Sequence, residues 1–225
     1  MELTKEQLLQ IDTYIAACGI KYYDVRAEIV DHFANILEQK LDDNPNLDFK
    51  KEIENIHRNF SDKGFSKLLK EKTNSVTKIF YKDSLKHLIS FFKLPKIIFT
   101  GVLFYGLFLL MNLFENKENY FHILTGFGFF LILLIFRQIY ISKKQDKKPF
   151  LKLGMNTDFL QLFNFTIISF NSITIFRNSE SFLNATYNII QLGIFVIIFL
   201  FFLATEYVFY QNKKLIKEQY PNILV

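Results

Sequence analysis

Residues 97–114, 119–136, 159–176 and 181–205 contain no Asp, Glu, Lys or Arg, and this constrains the chain more than anything else in it. Bilayer hydrocarbon is about 30 Å thick, and roughly 20 apolar residues of helix cross it. Inside lipid a segment must satisfy its own backbone polar groups, which a helix does. One such run fits a buried helix of a soluble protein; four in succession with charged punctuation do not. The fourth run is the strongest, with residues 194–203 wholly apolar, and the third is the weakest. There Gln161, Asn164, Thr166, Ser169, Asn171, Ser172 and Thr174 dilute the apolar pattern.

Lysine and arginine in short loops set orientation, the richer side facing the cytoplasm. Lys78, Lys82, Lys86, Lys93 and Lys96 precede the first span, and the hairpin after it has only Lys117. The next loop carries Arg137, Lys143, Lys144, Lys147, Lys148 and Lys152; the third has only Arg177; the tail has Lys213, Lys214 and Lys217. The alternation puts both termini and the middle loop in the cytoplasm. Tyr120, Tyr140, Tyr187, Tyr207 and Tyr210 fall at the expected interfaces, where amphipathic rings are favoured.

Polar residues inside the spans need partners. Gln161, Asn164 and Asn171 share one face of the third span, and with Gln191 of the fourth they make the expected intramembrane polar seam. Interhelical hydrogen bonding, about 0.5–2 kcal/mol per contact, is the plainer reading; a solute pathway is the alternative. Arg137 and Glu206 both lie near cytoplasmic span ends, where they can pair across spans two and four or reach the interface independently.

Composition argues against several functions. Lys outnumbers Arg 23 to 4, and the first 96 residues are nearly charge-balanced, so the basic footprint of a nucleic-acid-binding protein is missing. Cys18 is the sole cysteine, which rules out an intramolecular disulfide. Residues 1–10 have no apolar signal region, so the first span is expected to direct insertion. Glu54 and His57 have the Glu-x-x-His spacing of carboxylate-bridged metal sites, but such sites take two copies and this chain has one. With no phosphate loop, zinc motif or nucleophile elbow, neither an enzyme nor a cofactor or metal site is expected.

The N-terminal part reads as short amphipathic helices. Thr4 and Gln7 form a capping box, Leu8, Ile11 and Ile15 mark one face, and Gly19 ends the first helix. A second starts near Asp24, with Val25, Ile29, Phe33, Ile36, Leu37 and Leu41 at helical spacing. After a loop at residues 42–46, a third carries Phe49, Ile53, Ile56 and Phe60, and residues 61–64 break it. Residues 79–92 mix apolar side chains with Lys78, Lys82, Lys86 and Lys93, the pattern of a juxtamembrane helix on anionic headgroups. The fold class is therefore all-α, a small helical head followed by a four-helix transmembrane bundle. The expected organisation is a cytoplasmic helical domain over 1–75, a juxtamembrane amphipathic helix over 76–96, a four-span domain over 97–211 and a cytoplasmic tail over 212–225.

Ile11, Asp12 and Tyr14, then Gly19, Ile20, Tyr22, Asp24, Val25, Arg26, Glu28, Ile29, Val30, Asp31 and His32, then Ile36 and Glu38, form a pattern that resembles the HAAS-type α-helical signalling domains of small bacterial membrane proteins. Genes of that family often neighbour PadR-like transcription regulators. The resemblance covers residues 4–75. It implies a non-catalytic interaction module, with Arg26, Asp31, His32 and Asn35 bordering a surface for a cytoplasmic regulatory protein. The alternative is structural: these charges cap and solvate the second helix, and His32 hydrogen-bonds within the head. The expectation is a multi-pass, non-catalytic signalling or regulatory protein whose partners are the bilayer and a soluble regulator, with homo-oligomerisation open; a small-solute transporter, or a membrane subunit of one, is the alternative.

Overall fold

The computed structural model describes residues 2–60, 64–145 and 149–221, and every described element is helical. The chain divides into two units. The first holds residues 1–78 together with 146–154, and the second holds residues 79–145 and 155–225.

In the first unit, α1 (Lys5–Ala17) opens on the capping box: Gln7 N donates to Thr4 Oγ1 at 3.2 Å and Thr4 N to Gln7 Oε1 at 2.8 Å. Gly19 ends this helix region at φ +94°, a backbone conformation that L side chains rarely adopt. α2 (Tyr23–Asp43) lays Val25, Ile29, Phe33, Ala34, Leu37 and Leu41 onto buried Ile11 and Ile15 of α1. α3 (Phe49–Phe60) adds Ile53 and Ile56, and α4 (Gly64–Ser90) adds Phe65 and Val76. The expected break between the third helix and the next falls mainly on residues 61–63, outside the described residues. Residues 64–90 form one 27-residue helix, so the juxtamembrane stretch is the second half of α4 rather than a helix of its own. Along it Ile79, Leu85 and Ile89 are exposed beside Lys82 and Lys86, so the apolar and basic groups both remain available to headgroups.

One part of the head's core comes from far along the chain. Phe150, Leu151 and Leu153 are buried and belong to the first unit, although they sit at the start of α7 (Leu151–Phe176).

The second unit holds the apolar helices. α5 (Lys96–Leu113), α6 (Lys117–Gln145), α7 and α8 (Ala185–Gln219) are each long and apolar enough to cross a bilayer. The chain is thus a multi-pass, all-helical membrane protein with a helical region outside the membrane. α7 has the lowest mean hydropathy of the four, 1.4, as the diluted third run predicts. α8 is central: 56% of its most apolar window is buried against 11% for α5. In lipid the hydrophobic effect does not drive helices together, so packing quality decides association. Here aromatic rings supply it, Phe163 lying 5.5 Å from Phe202 and Phe170 lying 5.5 Å from Phe195. At Gly128 of α6 the backbone comes so close to α7 that a Cβ would meet Ile167 Cδ1 at 2.6 Å, and Ile167 is fully buried.

Candidate functional site

The second helix of the head carries the residues expected to bind a partner, and the structure divides them. Arg26 faces inward: its Nε donates to Asp12 Oδ1 at 2.6 Å, which latches α2 to α1. Asp31, His32 and Asn35 are exposed, and with Glu28 they form an i, i+3, i+4, i+7 stripe on the face opposite the core. Lys72 of α4 pairs with Glu28 at 2.5 Å, closing one end of the stripe. At the other end His32, Ile36 and Lys40 of α2 with Ile56 and Asn59 of α3 line a shallow depression of about 380 Å³. Of the four expected residues, Asp31, His32 and Asn35 are thus exposed, while the Arg26 guanidinium bonds Asp12.

The histidine that serves the head's interior is His57. Its Nδ1 lies 2.8 Å from Tyr14 Oη and its ring stacks on Phe65 at 4.2 Å. His57 thus helps join α1, α3 and α4. No group of three His, Cys, Asp or Glu suited to a metal occurs among the described residues.

Lys40 also fastens α2 to α3. Its ammonium hydrogen-bonds the nearly buried Glu52, and Asn55 Nδ2 donates to the same carboxylate at 3.1 Å. These donors, Lys40 foremost, hold the Glu52 carboxyl below the usual carboxylate range. A carboxyl depressed on folding stabilises the fold above its unfolded pKa, and that contribution fades as pH falls through the folded value. Lys40→Met is therefore expected to lower the head's hydrogen-exchange protection at about pH 7, with the two proteins converging at about pH 2.5. A constant difference between them across that range would rule out this origin.

A clasp joins α2 to the chain entering α7. Tyr22, at the start of α2, makes no side-chain cap; instead Tyr23 N donates to Pro149 O at 2.8 Å. In return Leu151 N, the first amide of α7, donates to Asp24 Oδ1 at 2.9 Å. Each helix start thus satisfies an orphan amide of the other, and Asp24 places negative charge at both positive ends. Phe150 packs edge-on to Tyr23 at 5.6 Å.

The four residues of the expected intramembrane seam are not brought together. Gln161 and Asn164 are exposed and Asn171 is half-buried, because α7 turns Phe159, Phe163, Ile167, Phe170 and Thr174 inward. Large rings fill the space between helices better than carboxamides can, and they take that face. Gln191 alone is fully buried, at the far end of the bundle, where Arg177 organises a network. The guanidinium donates to Gln191 Oε1 at 2.5 Å, Asn188 Oδ1 at 2.8 Å, Ser181 O at 2.7 Å and Ser181 Oγ at 3.2 Å. Gln191 Nε2 donates on to Thr174 Oγ1 at 2.8 Å, and the cation lies 4.1 Å over the Phe182 ring of the 3-10 helix Ser179–Leu183. Nor do Arg137 and Glu206 pair. Arg137 is exposed, and the carboxylate accepts from its neighbour Gln138 at 3.1 Å.

Compared with protein-family models, curated proteins and solved structures, the chain matches none. The α2 surface, the clasp and the two polar networks of the bundle are therefore what a functional reading has to work with.

Proposed function

We propose that this chain is a membrane-anchored regulatory protein whose HAAS-like head takes a soluble protein partner on the α2 stripe. The lysine alternation supports an orientation with the head and both termini in the cytoplasm, and the resemblance of the head points to the bacterial cytoplasmic membrane as its location. The observation that carries the reading is the clasp. A head that only needed tethering requires no fixed contact with a second segment, yet α2 shares its N-terminal hydrogen bonds with the start of α7. A partner on Asp31, His32 and Asn35 binds the same helix whose first turn is clasped. Occupancy of the stripe and the state of the clasp are thereby linked.

A solute pathway draws no support from the α7 carboxamides, since Gln161 and Asn164 are exposed on the packed unit rather than lining a cavity within it. The test is capture of tagged soluble regulators, crosslinked in cells, by the full-length detergent-solubilised protein. The wild type is expected to retain a regulator that an Asp31→Lys, His32→Glu, Asn35→Lys variant loses while keeping its helical content. Equal recovery by both proteins refutes the α2 surface as the docking site.

A further inference from the structure

At the end of the bundle where α6 leaves and α7 enters, three helices contribute one polar side chain each to a connected chain. Asn156 Nδ2 of α7 donates to Gln138 Oε1 of α6 at 2.8 Å. Gln138 Nε2 donates to Glu206 Oε2 of α8 at 3.1 Å. Asn156 is 2% exposed. Its Oδ1 and Glu206 Oε1 are both shut off from solvent, and among the described residues neither has a donor within hydrogen-bond reach. The chain thus ends in an unsatisfied acceptor on each side, and one of the two belongs to a carboxylate.

A carboxylate held away from water needs a cation or several strong donors. Glu206 has one neutral amide. Among the described residues, the other ionisable groups of the surrounding helices are engaged elsewhere or face outward. On α4 the His87 ring lies against Tyr207, and on α5 Lys96 donates to Ser90. Arg137 on α6, Asp158 on α7, and Tyr207 and Tyr210 on α8 are exposed, and none is bonded to the carboxylate.

We infer that Glu206 is a proton-binding site, with Gln138 and Asn156 as a carboxamide relay that accommodates both of its charge states. In the ionised state the amides point their donors toward Glu206, as they are arranged here. On protonation an O–H bond forms at Glu206 with a proton from water on the α6–α7 connection side, and the group's charge goes from −1 to 0. Rotation of the Gln138 amide by half a turn then offers its oxygen to the new hydroxyl and its NH₂ to Asn156. Asn156, turned likewise, accepts through the oxygen that is otherwise unsatisfied. A carboxamide exchanges donor for acceptor by rotation alone, whereas a lysine or arginine here would hold Glu206 ionised. Intramembrane carboxylates are rare, and they mark ion pathways and proton relays. This inference stands apart from the head's partner and survives or fails independently of it.

The test is infrared difference spectroscopy of the full-length protein in liposomes, following the C=O stretch of protonated carboxylic acids through a pH titration. A band that titrates with pH is expected in the wild type and lost in Glu206→Gln, which is isosteric and retains an acceptor for Gln138. Gln138→Leu removes the one donor that stabilises the ionised form, and should move the band's midpoint up by about one pH unit or more. It also serves as the test if Glu206→Gln does not fold. A band unaffected by Glu206→Gln, or a midpoint unmoved by Gln138→Leu, overturns the inference. So does a band set by sodium concentration at constant pH, which would make the site one for a metal cation.

Discussion

Arg177→Met is expected to destabilise the membrane bundle by about 2–5 kcal/mol, because two buried neutral acceptors lose their donor. The guanidinium donates four hydrogen bonds that tie the end of α7, the 3-10 helix and the first turns of α8 into one unit. Its loss leaves Gln191 Oε1 and Asn188 Oδ1 without that donor, on residues only 2% and 3% exposed. Each orphaned buried acceptor costs about 1–3 kcal/mol. Arg177→Lys should recover little, because a point charge reproduces neither the fork nor the stacking on Phe182. Removing the acceptor as well separates the two parts of the loss: Arg177→Met with Gln191→Leu should be less destabilised than the sum of the single changes. Unfolding in mixed micelles, followed by helical circular dichroism, provides the measurement. A wild-type midpoint for Arg177→Met would show that this network is solvated rather than structural.

Arg177 also marks where sequence reasoning reached its limit. The four spans were legible because the absence of charge over a bilayer's thickness is a one-dimensional property, and the head's helices were legible because apolar spacing is periodic. Thr4, Gln7, Gly19 and the faces of α1 and α2 all follow from rules that act within a few residues. Which face of α7 packs inward does not. Gln161, Asn164 and Asn171 share a face, and so do Phe159, Phe163, Ile167 and Phe170; polarity pointed to the first face and volume decided for the second. Arg177 looked like a lone loop charge because its partners lie 4, 11 and 14 residues away across a turn. His32 and His57 show the same limit. Both are four-fold neighbours of apolar helix positions, and only the meeting of α1, α3 and α4 assigns the interior role to His57. In the α6–α7 connection the lysines signal only orientation. Phe150 and Leu151, which follow them, are what the head buries, and nothing local distinguishes an apolar residue that starts a span from one that completes a distant core.

That distant contribution sets the other large effect. Phe150→Ala should cost the first unit about 3–5 kcal/mol, the range for truncating a buried phenylalanine, since Phe150 is 2% exposed and packs on Tyr23. The loss should be concentrated at the clasp. Without the ring to hold residues 149–151 in place, Tyr23 N loses Pro149 O and Leu151 N loses Asp24 Oδ1. Hydrogen exchange should therefore accelerate together at the first turns of α2 and α7, although the two are 127 residues apart in sequence. Asp24→Ala tests the hydrogen bond without the cavity and should cost about 1–2 kcal/mol, as loss of a helix cap does. Asp24→Asn keeps the acceptor and removes only the charge at the two helix starts, worth about 0.5–1 kcal/mol. The order Phe150→Ala, Asp24→Ala, Asp24→Asn in exchange rate at both helix starts is the signature of reciprocal capping. Acceleration at α7 with α2 unchanged would instead mean that each helix is capped on its own. If occupancy of Asp31, His32 and Asn35 is linked to the clasp, the same three variants should weaken partner retention in the same order, although none of them alters the docking surface.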